Sequence, residues 1–319
     1  MSELDGNQRL SGFDTIPWIA LIVALFTSFS VKGFEASYGS LSPEERELSL
    51  ASHYTLEFPG REGIYSLVIM LPGCMGWHPH HTKWQKELLR MKFAVLHIDS
   101  FKARGLNNPA VLKREVCSGK QVTGDERAGD VISVLSKVWK NPRIRPGTTV
   151  LMGWSHGGWS ALDLLVSLES RIRLPNLSYL PKLDVTNFKA ALLYYPWCGA
   201  AGLNWSGNIP TTIQGYLFHG SRDVITSPRE CKRRIQRSSD KGGEMEFVQL
   251  RGAAHWFDNH ASQFFDKKAY MRSFSGANRL LQSLENNPLE ANQKRLNGVL
   301  GGKDASDDLI DLFEGVADP

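Results

Sequence analysis

Residues 149–159 read Thr-Val-Leu-Met-Gly-Trp-Ser-His-Gly-Gly-Trp. An apolar strand runs directly into Gly153-x-Ser155-x-Gly157, and a helical pattern follows. A serine in this position sits on a sharp strand-to-helix turn that exposes its hydroxyl. Side chains two residues to either side would collide in such a turn, which calls for glycine at 153 and 157. The helix N-terminus then aims free N–H groups and its positive dipole end at the reacting centre. Gly-x-Ser-x-Gly alone is a weak signal, but in a strand–turn–helix context it is strong. The alternative is a glycine-rich turn without chemistry.

The rest of the chain agrees with a fold that hosts such a turn. Short apolar runs at 64–71, 93–98, 148–152, 190–195, 213–218 and 245–250 are bounded by Gly, Pro, Asp or Ser and read as buried strands. Residues 54–58 read as an edge strand. Residues 125–139 place Ala128, Val131, Ile132, Leu135, Val138 and Trp139 on one helical face behind a Thr123-x-x-Glu126 capping box. Further helices are predicted at 84–91, 157–168, 228–237 and 267–284. This alternation predicts an α/β fold: a mostly parallel central sheet, helices on both faces and no large cap domain. With 319 residues, 42% hydrophobic and 22% charged, the chain can build such a core without staples. A mean hydropathy of −0.26 excludes a polytopic membrane protein.

A serine hydroxyl needs a base, and the base needs an orienting acid. In folds with this turn they follow in the order Ser, Asp or Glu, His, each beyond a later strand. The run 213–218 leads into His219-Gly-Ser-Arg-Asp223, and 245–250 leads into Arg251-Gly-Ala-Ala-His255. Asp223 is therefore the expected acid and His255 the expected base. Asp99 precedes the serine and breaks the order. Asp240 has no strand behind it, and Asp258 is placed to cap a following helix. His219 reads as a wall residue. An oxyanion hole needs two backbone N–H donors. His156, after the serine, supplies one, and Cys74 in Pro72-Gly-Cys-Met-Gly76 is the expected second, with Met75 behind it.

The two ends of the chain differ from its middle. Residues 16–26 are almost wholly apolar, and 15–31 carry no charge. That length suits a signal peptide or anchor better than a full spanning helix, although the flanks lack a basic region and a clean cleavage site. Residues 1–35 are read as a leader, with 16–31 as a membrane contact, 50–285 as the catalytic domain and 286–319 as an acidic tail. Residues 303–319 hold six acids and one lysine, a net −5. Since the chain as a whole carries +4, residues 1–302 carry +9. The net charge is therefore no nucleic-acid signal. Arg229, Lys232, Arg233, Arg234 and Arg237 read as the solvated face of a helix rather than a nucleic-acid or lipid site. His78-Pro-His80-His81 has no accompanying carboxylate and is not expected to hold a metal.

Taken together, these pieces resemble the dienelactone hydrolase family of the α/β-hydrolase superfamily. The resemblance rests on residues 72–76, Asp99-Ser-Phe101 with Arg104-Gly105, Gly153-Trp-Ser-His-Gly-Gly158, Tyr195-Pro-Trp-Cys198, Gly220-x-x-Asp223 with Cys231, and Ala254-His255-x-Phe257-Asp258, and spans roughly 54–284. It implies hydrolysis of a small-molecule carboxylic ester or lactone through an acyl-enzyme, without a cofactor. Two features depart from the family: founding members carry a cysteine nucleophile where this chain has Ser155, and the oxyanion loop begins Pro-Gly rather than His-Gly. Arg104 is a candidate contact for a substrate carboxylate, or an anchor of its own loop through Asp99. Trp154 is a second candidate substrate contact.

Cys74 and Cys117 follow neighbouring strands, and so do Cys198 and Cys231. Strand ends on one edge of a parallel sheet lie close together. Disulfides Cys74–Cys117 and Cys198–Cys231 are therefore expected, and with them an exported or membrane-anchored protein. A cytoplasmic protein with four reduced, packed cysteines is the alternative. The competing functions are a serine peptidase of the prolyl oligopeptidase type and a hydrolase fold that only binds.

Overall fold

The computed structural model describes residues 40–145 and 147–286. The leader and the acidic tail read from the sequence lie outside the described residues, apart from Asn286. Seven strands form one sheet in the order β1-β3-β2-β4-β5-β6-β7. They are β1 (Tyr54–Glu57), β2 (Leu67–Leu71), β3 (Ala94–Ile98), β4 (Thr149–Trp154), β5 (Phe188–Tyr194), β6 (Gln214–Gly220) and β7 (Met245–Leu250). All neighbours run parallel except the edge pair β1–β3. Every predicted strand is present. β2 and β4 are buried at each position, whereas β1 alternates between half-buried and exposed. That contrast is expected of a sheet covered on both faces but open at its edge.

Among the described residues, six helices of eight residues or more accompany the sheet: α1 (Pro43–Leu50), α2 (Pro79–Arg90), α3 (Gly124–Val138), α4 (His156–Ser170), α5 (Pro228–Ser239) and α6 (Lys267–Asn286). α1 was not expected. Its Ser42/Glu45 capping box, with Pro43 in the first turn, marks it in retrospect. Leu50 from α1, Val131 and Leu135 from α3, Leu162 and Leu165 from α4 and Ile235 from α5 pack on one face. Trp84 and Leu88 from α2, with Ala277 and Leu281 from α6, pack on the other. The predicted Thr123/Glu126 capping box opens α3, where Thr123 N–H donates to Glu126 at 2.8 Å. Among the described residues, no helix is long and apolar enough to cross a membrane.

The sheet order positions the site. The chain passes from β2 outward to β3, then jumps back to β4 on the other side of β2. Ligand crevices in open α/β sheets form beyond the strand C-termini at such a switch point. Leu71 at the end of β2 is registered with Gly153 in β4, so the two loops that leave these strands start side by side.

Candidate active site

Ser155 occupies the turn from β4 to α4 with φ 50° and ψ −114°, strained for a residue with a side chain. The flanking glycines make the turn possible. A β-carbon at Gly153 would stand 2.7 Å from Gly157 O, and one at Gly157 would collide with Leu71 O. Gly73 approaches the nucleophile, where a β-carbon would lie 3.5 Å from Ser155 Cβ. The loop after β2 is thus laid against the serine.

The structure brings the three expected groups together. His255 Nε2 lies 3.0 Å from Ser155 Oγ, and His255 Nδ1 lies 2.7 Å from Asp223 Oδ2. Their order and spacing fit a serine whose proton passes to an oriented imidazole. With Nδ1 facing the carboxylate, Nε2 faces the hydroxyl as the acceptor. Ser155 is 7% and His255 9% exposed, so the pair is sheltered but not sealed. Burial pushes the Asp223 carboxyl up, but the hydrogen bond and charge of His255, with the Thr226 amide, outweigh it and hold it below its ordinary value.

Thr226 was not read from the sequence. Asp223 Oδ1 accepts from Ile225 N–H at 2.8 Å and Thr226 N–H at 3.0 Å, and the Thr226 hydroxyl lies 2.9 Å from Oδ2. Every lone pair that faces the protein is used, which fixes the carboxylate plane. An aspartate followed three residues later by threonine is a turn pattern, and that pattern is the signal available. His219 is fully buried, with Nδ1 3.7 Å from Asp223 Oδ2. Burial drives its pKa down to about 4.

On the oxyanion side, neither His156 N–H nor Cys74 N–H donates to an acceptor among the described residues. The His156 ring turns away from the cleft, with Nε2 2.7 Å from Val122 O. Burial first, and then the Arg127 charge, lower its pKa to about 3, so the ring is neutral. Fully buried Arg127 donates to Pro72 O at 2.6 Å, across 55 residues of sequence, and its guanidinium lies over the Phe101 ring at 4.8 Å. This side chain holds the start of the loop after β2.

The arrangement differs from what was expected at Arg104, Trp154 and Asp258. Arg104 anchors its own loop by donating to Ser100 O at 2.8 Å, and its side chain is buried rather than presented to a substrate. It forks onto fully buried Asp130 at 2.6 and 3.0 Å. Desolvated charges require such a partner, and Asp130 on α3 supplies it. Trp154 is 1% exposed, and its Nε1–H donates to Asp258 at 2.7 Å. Because successive strand residues point to opposite faces, the residue before Ser155 enters the core. Asp258 therefore caps no helix. It also accepts from Tyr195 OH at 2.6 Å, and the Tyr195 ring packs on His255 with centroids 4.4 Å apart.

The histidine run opens α2. His81 Nδ1 accepts from His78 N–H at 2.8 Å, and His80 and His81 are buried beside Trp154. Among the described residues, no group of three ligand-type side chains is arranged to hold a metal. A cavity of about 170 Å³ between α2 and α6 is lined by Lys83, Trp84, Glu87, His260 and Tyr270 among others, and by none of the three residues around Ser155. Both expected disulfides are present, Cys74–Cys117 and Cys198–Cys231, with Cα atoms 5.1 and 5.2 Å apart. Such bonds persist in oxidising surroundings.

No family model matches the chain, and neither does any curated protein. Solved structures do match. A dienelactone hydrolase-like promiscuous phosphotriesterase from metagenomic libraries shares 16% identity at a TM-score of 0.53, over 73% of this chain and 99% of its own. A putative dienelactone hydrolase from Klebsiella pneumoniae shares 11% at 0.52, over 70% and 95%. An esterase from Thermogutta terrifontis, solved with propionate bound, shares 17% at 0.52, over 72% and 89%. The same esterase has been solved phosphorylated by paraoxon. These likenesses show the fold: the chain has the α/β-hydrolase fold of dienelactone hydrolase-like proteins and esterases.

Proposed function

We propose that the protein is a serine hydrolase of the dienelactone hydrolase kind that cleaves a carboxylic ester or lactone through an acyl-enzyme. The observation that carries this reading is the continuous relay Ser155–His255–Asp223 at 3.0 and 2.7 Å, beside two unspent amides. His255 takes the Ser155 proton as Oγ attacks the carbonyl carbon. Asp223 holds the imidazole tautomer and stabilises its cation. The His156 and Cys74 amides receive the oxyanion. As the tetrahedral intermediate collapses, His255 returns the proton to the leaving alkoxide. Water then attacks the acyl group with His255 again as base, and Ser155 is released. No step calls for a cofactor. Residues 50–285 form the catalytic domain of this reading, and the disulfides favour export.

The esterase that resembles this chain is phosphorylated by paraoxon, which supports using the same chemistry as a probe. Paraoxon or a fluorophosphonate is expected to label Ser155, and Ser155→Ala to abolish both labelling and turnover of p-nitrophenyl esters. Equal labelling of the variant would overturn the serine assignment. Turnover of peptide amides in preference to esters would replace the reading with a peptidase. Complete inactivity on all acyl lengths would leave a binding module.

A further inference from the structure

The loop that carries the catalytic acid ends in an unusual tip. Val224 is 91% exposed and Ile225 64%. The other large exposed apolar side chains among the described residues, such as Leu48 and Ile64, stand singly in sequence, which is ordinary for a soluble surface. An adjacent β-branched pair held out in water is not. The tip is also not slack, since Ile225 N–H is fastened to Asp223 Oδ1. It therefore projects from the rim of the site, next to the relay.

Cations predominate around the tip in sequence, with Glu230 the acid among them besides buried Asp223. Arg222 precedes it, and Arg229 and Lys232 head the exposed face of α5 that follows. None of these three forms an ion pair among the described residues, whereas Arg233 on the same helix is paired with Glu230. The sequence pattern alone reads as a solvated helix face. The exposed apolar pair beside it changes that reading.

We propose that this rim docks the protein on an anionic lipid surface, with Val224 and Ile225 entering the headgroup boundary and Arg222, Arg229 and Lys232 meeting the phosphates. Apolar insertion combined with cationic attraction is how peripheral proteins hold an anionic interface. A twofold contact between copies fits less well, because it would set the three cations against themselves. The docked rim would bring a membrane-borne or lipophilic ester to Ser155, so this part rests on the hydrolase reading. The docking itself does not.

The test is co-sedimentation of the full chain with vesicles of phosphatidylcholine alone and of phosphatidylcholine with phosphatidylglycerol. Wild type is expected to bind the anionic vesicles and to release at high salt. Removing three cations in R222Q/R229Q/K232Q is expected to lower the partition coefficient about a hundredfold. V224E is expected to lower it at least tenfold while keeping turnover of a soluble p-nitrophenyl ester. Binding through residues 16–31 would survive both sets of substitutions, so the difference from wild type isolates the rim. Equal binding to both vesicle types overturns the proposal, as does binding that V224E leaves unchanged. A concentration-dependent dimer abolished by V224E would also overturn it, in favour of self-association. Vesicle binding that persists without ester turnover would sink the hydrolase reading and leave the docking intact.

Discussion

Two loops converge on Ser155, and they are held in opposite ways. The acid loop after β6 is held mostly by hydrogen bonds that its own backbone donates. Asp223 accepts from two backbone amides of its own turn, Ser221 and Arg222 donate to Leu250 and Ala253 in the neighbouring β7 loop, and Thr226 joins the carboxylate. The oxyanion loop after β2 has little of its own. Among the described residues, 72–76 make only the Gly76-to-Gly73 turn bond and the bond from Arg127 to Pro72. The rest is the Cys74 disulfide and the packing of Cys74 and Met75 against Phe101, Leu112, Val116 and Val122. The difference follows from task. A carboxylate can satisfy its neighbours and still orient an imidazole. An oxyanion hole must leave its amides unspent, so its hold has to come from outside.

The largest expected effect lies on the self-held side. Asp223→Asn should keep the loop folded, since the amide oxygen can still accept from Ile225 and Thr226. It should lower kcat by about 10⁴-fold, because an amide favours the wrong imidazole tautomer. Steady-state kinetics with a soluble ester would show it. A drop of only a few fold would mean that His255 is oriented by Thr226 or Tyr195 instead.

Arg127 tests the externally held side. Arg127→Met removes the donor beneath Pro72 and should lower kcat by roughly tenfold to a hundredfold, a fraction of the 10²–10³ lost with a whole oxyanion donor. KM should change little, because ground-state binding does not use the loop amides. Arg127→Lys should recover part of the loss. Thermal stability should not fall in proportion, since replacing a buried charge by an apolar group is often neutral. A loss of stability with unchanged kcat would reduce Arg127 to a structural role.

The relay and the disulfides were legible in the sequence for a shared reason. Each lies beyond the C-terminal end of a strand, and the segments that leave one edge of a parallel sheet meet whatever the helices between them do. Glycines 153 and 157 and the capping box at Thr123 are local signals of the same kind. What stayed hidden was side-chain direction. Arg104 finds Asp130 across 26 residues and Trp154 finds Asp258 across 104. No pattern in either neighbourhood announces such a partner. Both residues turn into the core in space.

The disulfides sharpen the contrast because their stabilities should match. Their sequence separations are 43 and 33, so chain entropy assigns each about 4 kcal/mol. Cys74→Ser with Cys117→Ser, and Cys198→Ser with Cys231→Ser, should therefore lower the unfolding midpoint by similar amounts. Activity should separate them. Freeing the oxyanion loop should lower kcat several fold, whereas freeing α5 from the β5 end should leave it nearly unchanged. Equal losses of activity would end the distinction.

The smallest effect concerns acid. His78, His80 and His81 beside the oxyanion loop, His97 on β3 and His156 after the serine are all held neutral chiefly by burial, with His97 at about 4 and His156 at about 3. On the acid-loop side His219, at about 4, behaves this way. An unfolded chain protonates each histidine near its ordinary value, and the folded chain does so only at lower pH. Between those limits the unfolded state binds more protons, so stability falls as pH falls. Asp163, raised by burial to about 7, works in the opposite direction and offsets about one histidine. Asp223 adds its own loss only in the ordinary carboxylate range and below, since its depressed value protects the folded state above that. The protein should therefore lose stability as pH drops from about 6.5 toward 4, and lose it unevenly. Hydrogen exchange at about pH 5, corrected for intrinsic rates, should show residues 72–98 losing protection before 214–239 do. Uniform loss across both segments would mean that the two sides of the site unfold as one, whatever holds each of them in the native state.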